Sequence, residues 1–213
     1  MKLPLTSILL LILLASDVPL FGQAPDRSRV KPDMHEGVVR VGHLQFTHVD
    51  KAKRRRLTLD LYRPDSGKGP FPAVVLYFGG GWQNGRPGIF APIAQALAQR
   101  GYVCVVPEYR LSGEKPFPAA VHDCKAAIRW TRANARRYRI DPGRIATLGG
   151  SAGGHLSGFM GATNGMGRFE GEGDYRGTSS RVQASVVMCG PMSLLLPHIV
   201  ERVEKAAGKP EGD

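Results

Sequence analysis

Short, continuous apolar runs alternate with stretches of helical spacing between residues 71 and 190, and this alternation restricts the fold more than any other feature of the chain. "FPAVVLYF", "YVCVVPEYR", "RIATLG" and "VQASVVMCG" read as strands buried on both faces, because they are apolar throughout. Between them, "GIFAPIAQALAQRG" carries Phe90, Ile93, Ala94 and Leu97 on one helical face and stops at Gly101. "PAAVHDCKAAIRWTRANARRY" reads as a long helix with Val121, Cys124, Ile128, Thr131 and Ala135 facing inward. "AGGHLSGFMGA" is a helix of small residues. Upstream, "HLQFTHV" and "RRLTLDLYRP" flank the charged "DKAKR" and predict a hairpin. The order implies an α/β fold: a mostly parallel sheet with helices on both faces, begun by an antiparallel hairpin.

The 213 residues suffice for one domain with a sizeable core. Residues 1–24 read as a signal peptide: Lys2, then the apolar "LPLTSILLLILLAS", then small residues ending at Ala24. Export to the periplasm or beyond is therefore expected, with no membrane anchor once the leader is cleaved. Residues 25–38 read as a polar tether and 39–213 as the folded domain. Cys104, Cys124 and Cys189 are too few for a disulfide framework and sit in apolar contexts, so buried thiols are expected. No Cys/His spacing indicates a metal, and no motif indicates a cofactor.

The net charge of +11 raises nucleic acid as a partner. The basic residues fall in "KAKRRR" and on the helix positions Lys125, Arg129, Arg132, Arg136 and Arg137. Both read as solvated faces, no binding motif with interleaved aromatics is present, and no nucleic acid is expected. An acidic glycan or an anionic surface is a milder use of the same charge.

Two glycine-rich stretches follow strand ends, where open α/β sheets collect their working groups. Gly149-Gly150-Ser151-Ala152-Gly153 fits G-x-S-x-G between a strand and a helix. That turn holds a serine at its tip in strained backbone, beside helix N–H groups that favour negative charge. "FGGGW" can present backbone N–H donors to an oxyanion. It fits neither the phosphate-binding nor the dinucleotide-binding glycine pattern.

Together "FGGGW", "PEYRLS", "PFPAAVHDCKAAIRW", "IDPGRIATLGGSAGGHL" and "SSRVQASVVMCGP" resemble α/β-hydrolase esterases. The resemblance is to the exported bacterial esterase/lipase group carrying HGGGW and GxSAGG, akin to hormone-sensitive-lipase-type carboxylesterases and including acetylxylan and feruloyl esterases. It spans about residues 40–195. It implies that Ser151 is the nucleophile of a serine carboxylic-ester hydrolase, with Gly80, Gly81 and Ala152 as the oxyanion hole. The implied substrate is an acyl group on polysaccharide or another small ester, and no cofactor. A truncated or inactive relative without turnover is the alternative.

Phe78 stands where the family usually has a histidine that braces the glycine loop, and restoring histidine is expected to improve turnover. The family acid and histidine follow later strands. "SLLLPHIVERVEKAAGKPEGD" reads as the start of the helical insertion before them, so a chain incomplete at its C-terminus is expected, with "ASVVMCG" left as an exposed edge. Of the local groups, His155 reads as structural, His198 as unplaced, Asp123 as a structural acid, and Glu170, Glu172 and Asp174 as members of a mobile loop.

Overall fold

The computed structural model describes residues 34–50, 55–194 and 200. The expected leader (1–24), most of the tether, the turn residues 51–54 and His198 lie outside the described residues. Six strands form one sheet. They are β1 (Val38–Asp50), β2 (Arg55–Pro64), β3 (Phe71–Tyr77), β4 (Val103–Pro107), β5 (Ile140–Gly150) and β6 (Ala184–Met188), in spatial order β1-β2-β4-β3-β5-β6. β1 pairs antiparallel with β2, and β2 with β4. β4, β3, β5 and β6 run parallel. The hairpin-then-parallel order expected from the residues is the one observed, and it is an α/β-hydrolase fold.

β4 is buried at every position, and β3 from Ala73 to Tyr77. Uninterrupted burial of this kind needs cover on both faces. α1 (Ala91–Gln99) packs on β2 and β4, while α2 (Ala119–Ala133) and α4 (Ala152–Ala162) pack against each other and over β3 and β5. α1 buries Ala91, Ala94, Gln95 and Ala98. Ile93 and Leu97, expected on the same face as Phe90 and Ala94, are only partly buried, at the flank of the core. Alanines let the helix approach the sheet more closely than branched side chains would. The long helix expected over 118–138 is interrupted. Asn134 turns its side-chain amide onto the Trp130 carbonyl at 2.9 Å, and α3 (Ala135–Tyr138) follows.

The basic face of α2 departs from expectation. Lys125 and Arg129 are not solvated: their side chains are 0% and 1% exposed. The segment between α4 and β6 folds back over this helix and supplies their partners. Lys125 Nζ donates to the Thr163 carbonyl at 2.9 Å. Arg129 Nη1 donates to the Glu170 carbonyl and to its carboxylate, both at 2.8 Å. Ser180 adds its hydroxyl to the same carboxylate. Glu170 is therefore an anchor and not part of a loose loop. Asp174 is held likewise, 3.0 Å from His48 Nδ1. Of the five basic positions, Arg136 and Arg137 are the two that are exposed.

β6 also departs from expectation. It was expected to be buried on both faces, but it pairs on one side only among the described residues, and Val186, Val187 and Met188 are exposed. The exposed edge expected from the resemblance is thus present. Cys104 and Cys124 are buried as expected; Cys189, just past β6, is exposed, contrary to the expectation of a buried thiol.

Candidate active site

β5 turns into α4 through Gly149-Gly150-Ser151-Ala152-Gly153, and steric contact dictates the glycines. A Cβ on Gly149 would lie 2.0 Å from the Gly153 carbonyl oxygen. A Cβ on Gly153 would lie 2.0 Å from the Tyr77 oxygen and 2.5 Å from the Phe78 oxygen. The start of α4 therefore touches the end of β3 through bare backbone. Ser151, at the tip, has φ 53° and ψ −122°, a conformation that costs a non-glycine residue about 1–3 kcal/mol and persists where neighbours impose it. One such neighbour is Met188 at the end of β6, whose carbonyl accepts the Ser151 N–H at 2.8 Å. The serine is exposed. His155 N–H is the donor that closes the first turn of α4, onto the Ser151 carbonyl, so the N–H of Ala152 precedes any acceptor within the helix.

The glycine loop lies directly beside this serine. A Cβ on Gly79 would fall 3.2 Å from Ser151 Cβ. The Gly80 carbonyl accepts from Gln83 and Asn84, each at 3.1 Å, which curls the loop and gives Gly80 a φ of +125°. Among the described residues, the N–H groups of Gly80 and Gly81 enter no backbone hydrogen bond. Three backbone donors proposed from the residues thus belong to two segments that meet at Ser151.

Phe78 anchors the loop by packing. Its ring is 2% exposed and stacks on Tyr109 with centroids 4.2 Å apart. The Tyr109 hydroxyl donates to the Phe78 carbonyl at 2.8 Å. Tyr109 is a bracing residue that sequence reasoning missed, although it sits in the quoted "PEYRLS". No local signal links it to Phe78, because only the adjacency of β3 and β4 brings them together. The next residue, Arg110, holds Asp123 with its guanidinium at 2.7 and 2.9 Å and with its backbone N–H at 2.8 Å. Burial pushes the Asp123 carboxyl above its ordinary pKa, against the opposing pull of Arg110. Asp123 is a structural acid, as expected.

Five of the six histidines are described. The His155 ring stands edge-on to Trp82 of the glycine loop at 5.3 Å and tilts against Phe159 at 5.8 Å. Burial lowers its pKa, favouring the neutral imidazole. It walls a cavity of about 280 Å³ with Gly81, Trp82, Phe117, Val121 and Leu156. His35 bonds Gln95 and Gln99, His43 lies on the hairpin and bonds Asp60, His48 bonds Asp174, and His122 packs on Gly171. Among the described residues, none of these imidazoles hydrogen-bonds Ser151. Glu170 and Asp174 are engaged elsewhere, and Glu172 lies at the mouth of a different cavity. No group of three His, Cys, Asp or Glu side chains suited to a metal occurs among the described residues.

The chain matches the BD-FAE family over residues 59–211. It belongs to that family. Carboxylesterase NlhH of Mycobacterium tuberculosis is 43% identical over 101 residues, covering 47% of this chain and 32% of the relative. A truncated form of a carbohydrate esterase from gut microbiota superposes with a TM-score of 0.59 at 33% identity, over 68% of this chain and 54% of that one. Thermogutta terrifontis esterase 2, phosphorylated by paraoxon, gives a TM-score of 0.63 at 32% identity, over 79% and 63%. The BD-FAE chain spans about a third of the length of the curated relatives it matches. Its lineage is one of carboxylic ester hydrolases.

Proposed function

We propose that this BD-FAE chain carries the nucleophile and oxyanion hole of a serine ester hydrolase. The Ser151 hydroxyl attacks the ester carbonyl, and the carbonyl oxygen takes up the negative charge. The N–H groups of Gly80, Gly81 and Ala152 accept that charge without reorganising, since curled loop and helix start already hold them. Collapse of the tetrahedral intermediate expels the alcohol and leaves an acyl group on Ser151, which water then removes. The 280 Å³ cavity beside Gly81 receives one arm of the ester against Trp82 and Phe117. Acyl groups on polysaccharide fit the likeness to a carbohydrate esterase. The observation that carries this reading is the exposed Ser151 at positive φ, beside the Gly79–Gly81 loop.

A second reading is binding without turnover. It is favoured by one observation: among the described residues, no histidine imidazole hydrogen-bonds Ser151. Without a base, a serine hydroxyl is a weak nucleophile, and binding with an oxyanion hole gives about 10³–10⁴-fold over water. On the first reading the base is supplied from outside the described residues. The two readings separate in one assay: hydrolysis of p-nitrophenyl acetate and of acetylated xylan by the full chain and by Ser151→Ala. Turnover at ordinary esterase rates that Ser151→Ala abolishes supports the first. Turnover indifferent to that change refutes the role of Ser151, and saturable binding of the ester without turnover supports the second.

A further inference from the structure

The four parallel strands all begin at one end of the sheet, and Ser151 follows the other end of β5. Residues that lead into these strands therefore gather on the face opposite Ser151. Lys68 lies three residues before β3, Arg100 three before β4, and Arg181 three before β6. Arg139 lies directly before β5, with Arg136 and Arg137 in α3. Each parallel strand is entered through a cation.

The strand registers put these cations side by side. Phe71 is level with Ile140, and Ala73 with Val103. Ala184 is level with Ala146, which itself pairs with Val74. Counted back from these pairs, Arg100, Arg139 and Arg181 each fall within one residue of the level of Phe71. The Phe71 N–H donates to the Arg139 carbonyl at 2.7 Å, and a Cβ on Gly69 would lie 3.4 Å from Arg139 Cβ, so the segment carrying Lys68 touches Arg139. In the spatial order of the strands the row runs Arg100, Lys68, Arg139, Arg181. Neighbouring strands stand about 4.7–4.9 Å apart.

Lys68, Arg100, Arg136, Arg137, Arg139 and Arg181 enter none of the ion pairs among the described residues. All but Arg139 are exposed, and Arg139 lies over the Phe71 ring. Of the acids at this end, Asp141 is held by Arg144 at 2.6 Å, while Glu36 and Asp65 stand at the margin formed by β1 and β2. The segment that leaves β4 mixes signs instead, with Glu108, Arg110, Glu114 and Lys115. Helix ends explain part of the row: Arg100 Nη1 donates to the Ala96 carbonyl at the end of α1, where the dipole favours a cation. Lys68 and Arg181 end no helix, so the dipole does not account for them.

We propose that this face docks a linear acidic polysaccharide, one with a carboxylate on its successive sugar units. The strand spacing is close to the length of one sugar in an extended glycan, so a chain laid across the strand entries meets a cation at each step. Arginine forks pair with carboxylates in two parallel bonds. Tyr102, exposed next to Arg100, offers a flat ring to a sugar face. It is the one exposed large apolar residue in the four entry segments, which gives a membrane little to bury. The helix at this face, α3, has four residues and does not fill a major groove. The surface is independent of whether Ser151 turns over an ester.

The test is calorimetric titration of the full chain with hexagalacturonate, and with cellohexaose as the neutral control, at constant ionic strength. A DNA duplex and vesicles of anionic phospholipid are titrated beside them. Saturable binding of hexagalacturonate is expected, weakening as salt is raised, with cellohexaose at least about tenfold weaker. Lys68→Glu with Arg181→Glu, both exposed positions, is expected to weaken hexagalacturonate about tenfold, because each change turns an attraction into a repulsion. Arg86→Glu with Lys115→Glu makes the same change in net charge at the strand exits and is expected to leave the affinity within about twofold. The proposal is overturned by the absence of saturable hexagalacturonate binding, by equal affinity for cellohexaose, by equal losses in the two double variants, or by tighter binding of the duplex or the vesicles.

Discussion

Replacing Phe78 with histidine tests how the glycine loop is braced. The Phe78 ring is stacked on Tyr109 on one side. On another it presses on Gly85, where a Cβ would come within 2.6 Å of Phe78 Cδ2. An imidazole brings two ring nitrogens into that packing, and the adjacent Tyr109 hydroxyl already donates to the Phe78 carbonyl. At least one nitrogen is left without a partner, which costs about 1–3 kcal/mol. Weakening the aromatic stack removes up to about 0.5–1.5 kcal/mol more. The expected loss is roughly 2–4 kcal/mol, a large part of the 5–15 kcal/mol that typically separates folded from unfolded protein. The assay is urea unfolding followed by tryptophan fluorescence, with the rate of fluorophosphonate labelling of Ser151 measured beside it. A lower midpoint and slower labelling are expected. A histidine variant of equal or greater stability that labels faster would refute the reasoning. It would show that position 78 wants a polar brace, the outcome that resemblance alone leads one to expect.

Gly153→Ala is expected to abolish the native fold around Ser151, because its Cβ would overlap the Tyr77 and Phe78 carbonyls; circular dichroism and loss of labelling report it. Glu170→Ala leaves Lys125 and Arg129 buried without a carboxylate. Breaking a buried pair costs about 3–5 kcal/mol, reduced here to roughly 2–3 because Glu170 is 31% exposed. Burial raises the Glu170 pKa, but the Ser180 bond and the charges of Lys125 and Arg129 outweigh it and hold the carboxyl below its ordinary 4.5. Its contribution is therefore complete above pH 4.5 and is lost as pH falls through the lower folded value. The melting temperatures of wild type and Glu170→Gln should converge in that acid range; a constant difference would contradict the coupling. Val187→Lys, on the exposed apolar edge of β6, is expected to reduce self-association in size-exclusion chromatography without lowering stability.

The parallel strands and the elbow around Ser151 were legible because they rest on local rules. Continuous apolar runs mean burial on both faces, and glycines two before and two after the serine mean backbone contact. Lys125 and Arg129 were misread because charge on a helix is normally solvated. Their burial depends on a segment some 40 residues later folding back with Glu170, which no periodicity on the helix announces. β6 was legible only in part: its apolar run reads as a buried strand, while its exposed edge was expected from the resemblance alone. Its apolar run speaks of what such a strand prefers, while its exposure depends on what stands beside it. The brace from Tyr109 was hidden because pairing of β3 with β4 decides it, and the cavity lined by His48, Arg110, His122 and Glu172 was hidden because four separate segments build it.

The central claim is that Ser151 is a poised nucleophile. A fluorophosphonate probe applied to the full chain, with the modified residue located by peptide mass mapping, tests it most directly; a related esterase forms a phosphorylated species with paraoxon. The account predicts a single adduct on Ser151 that forms faster than on exposed serines such as Ser179 and is absent in Ser151→Ala. An adduct elsewhere, or labelling of Ser151 no faster than of Ser179, would contradict it.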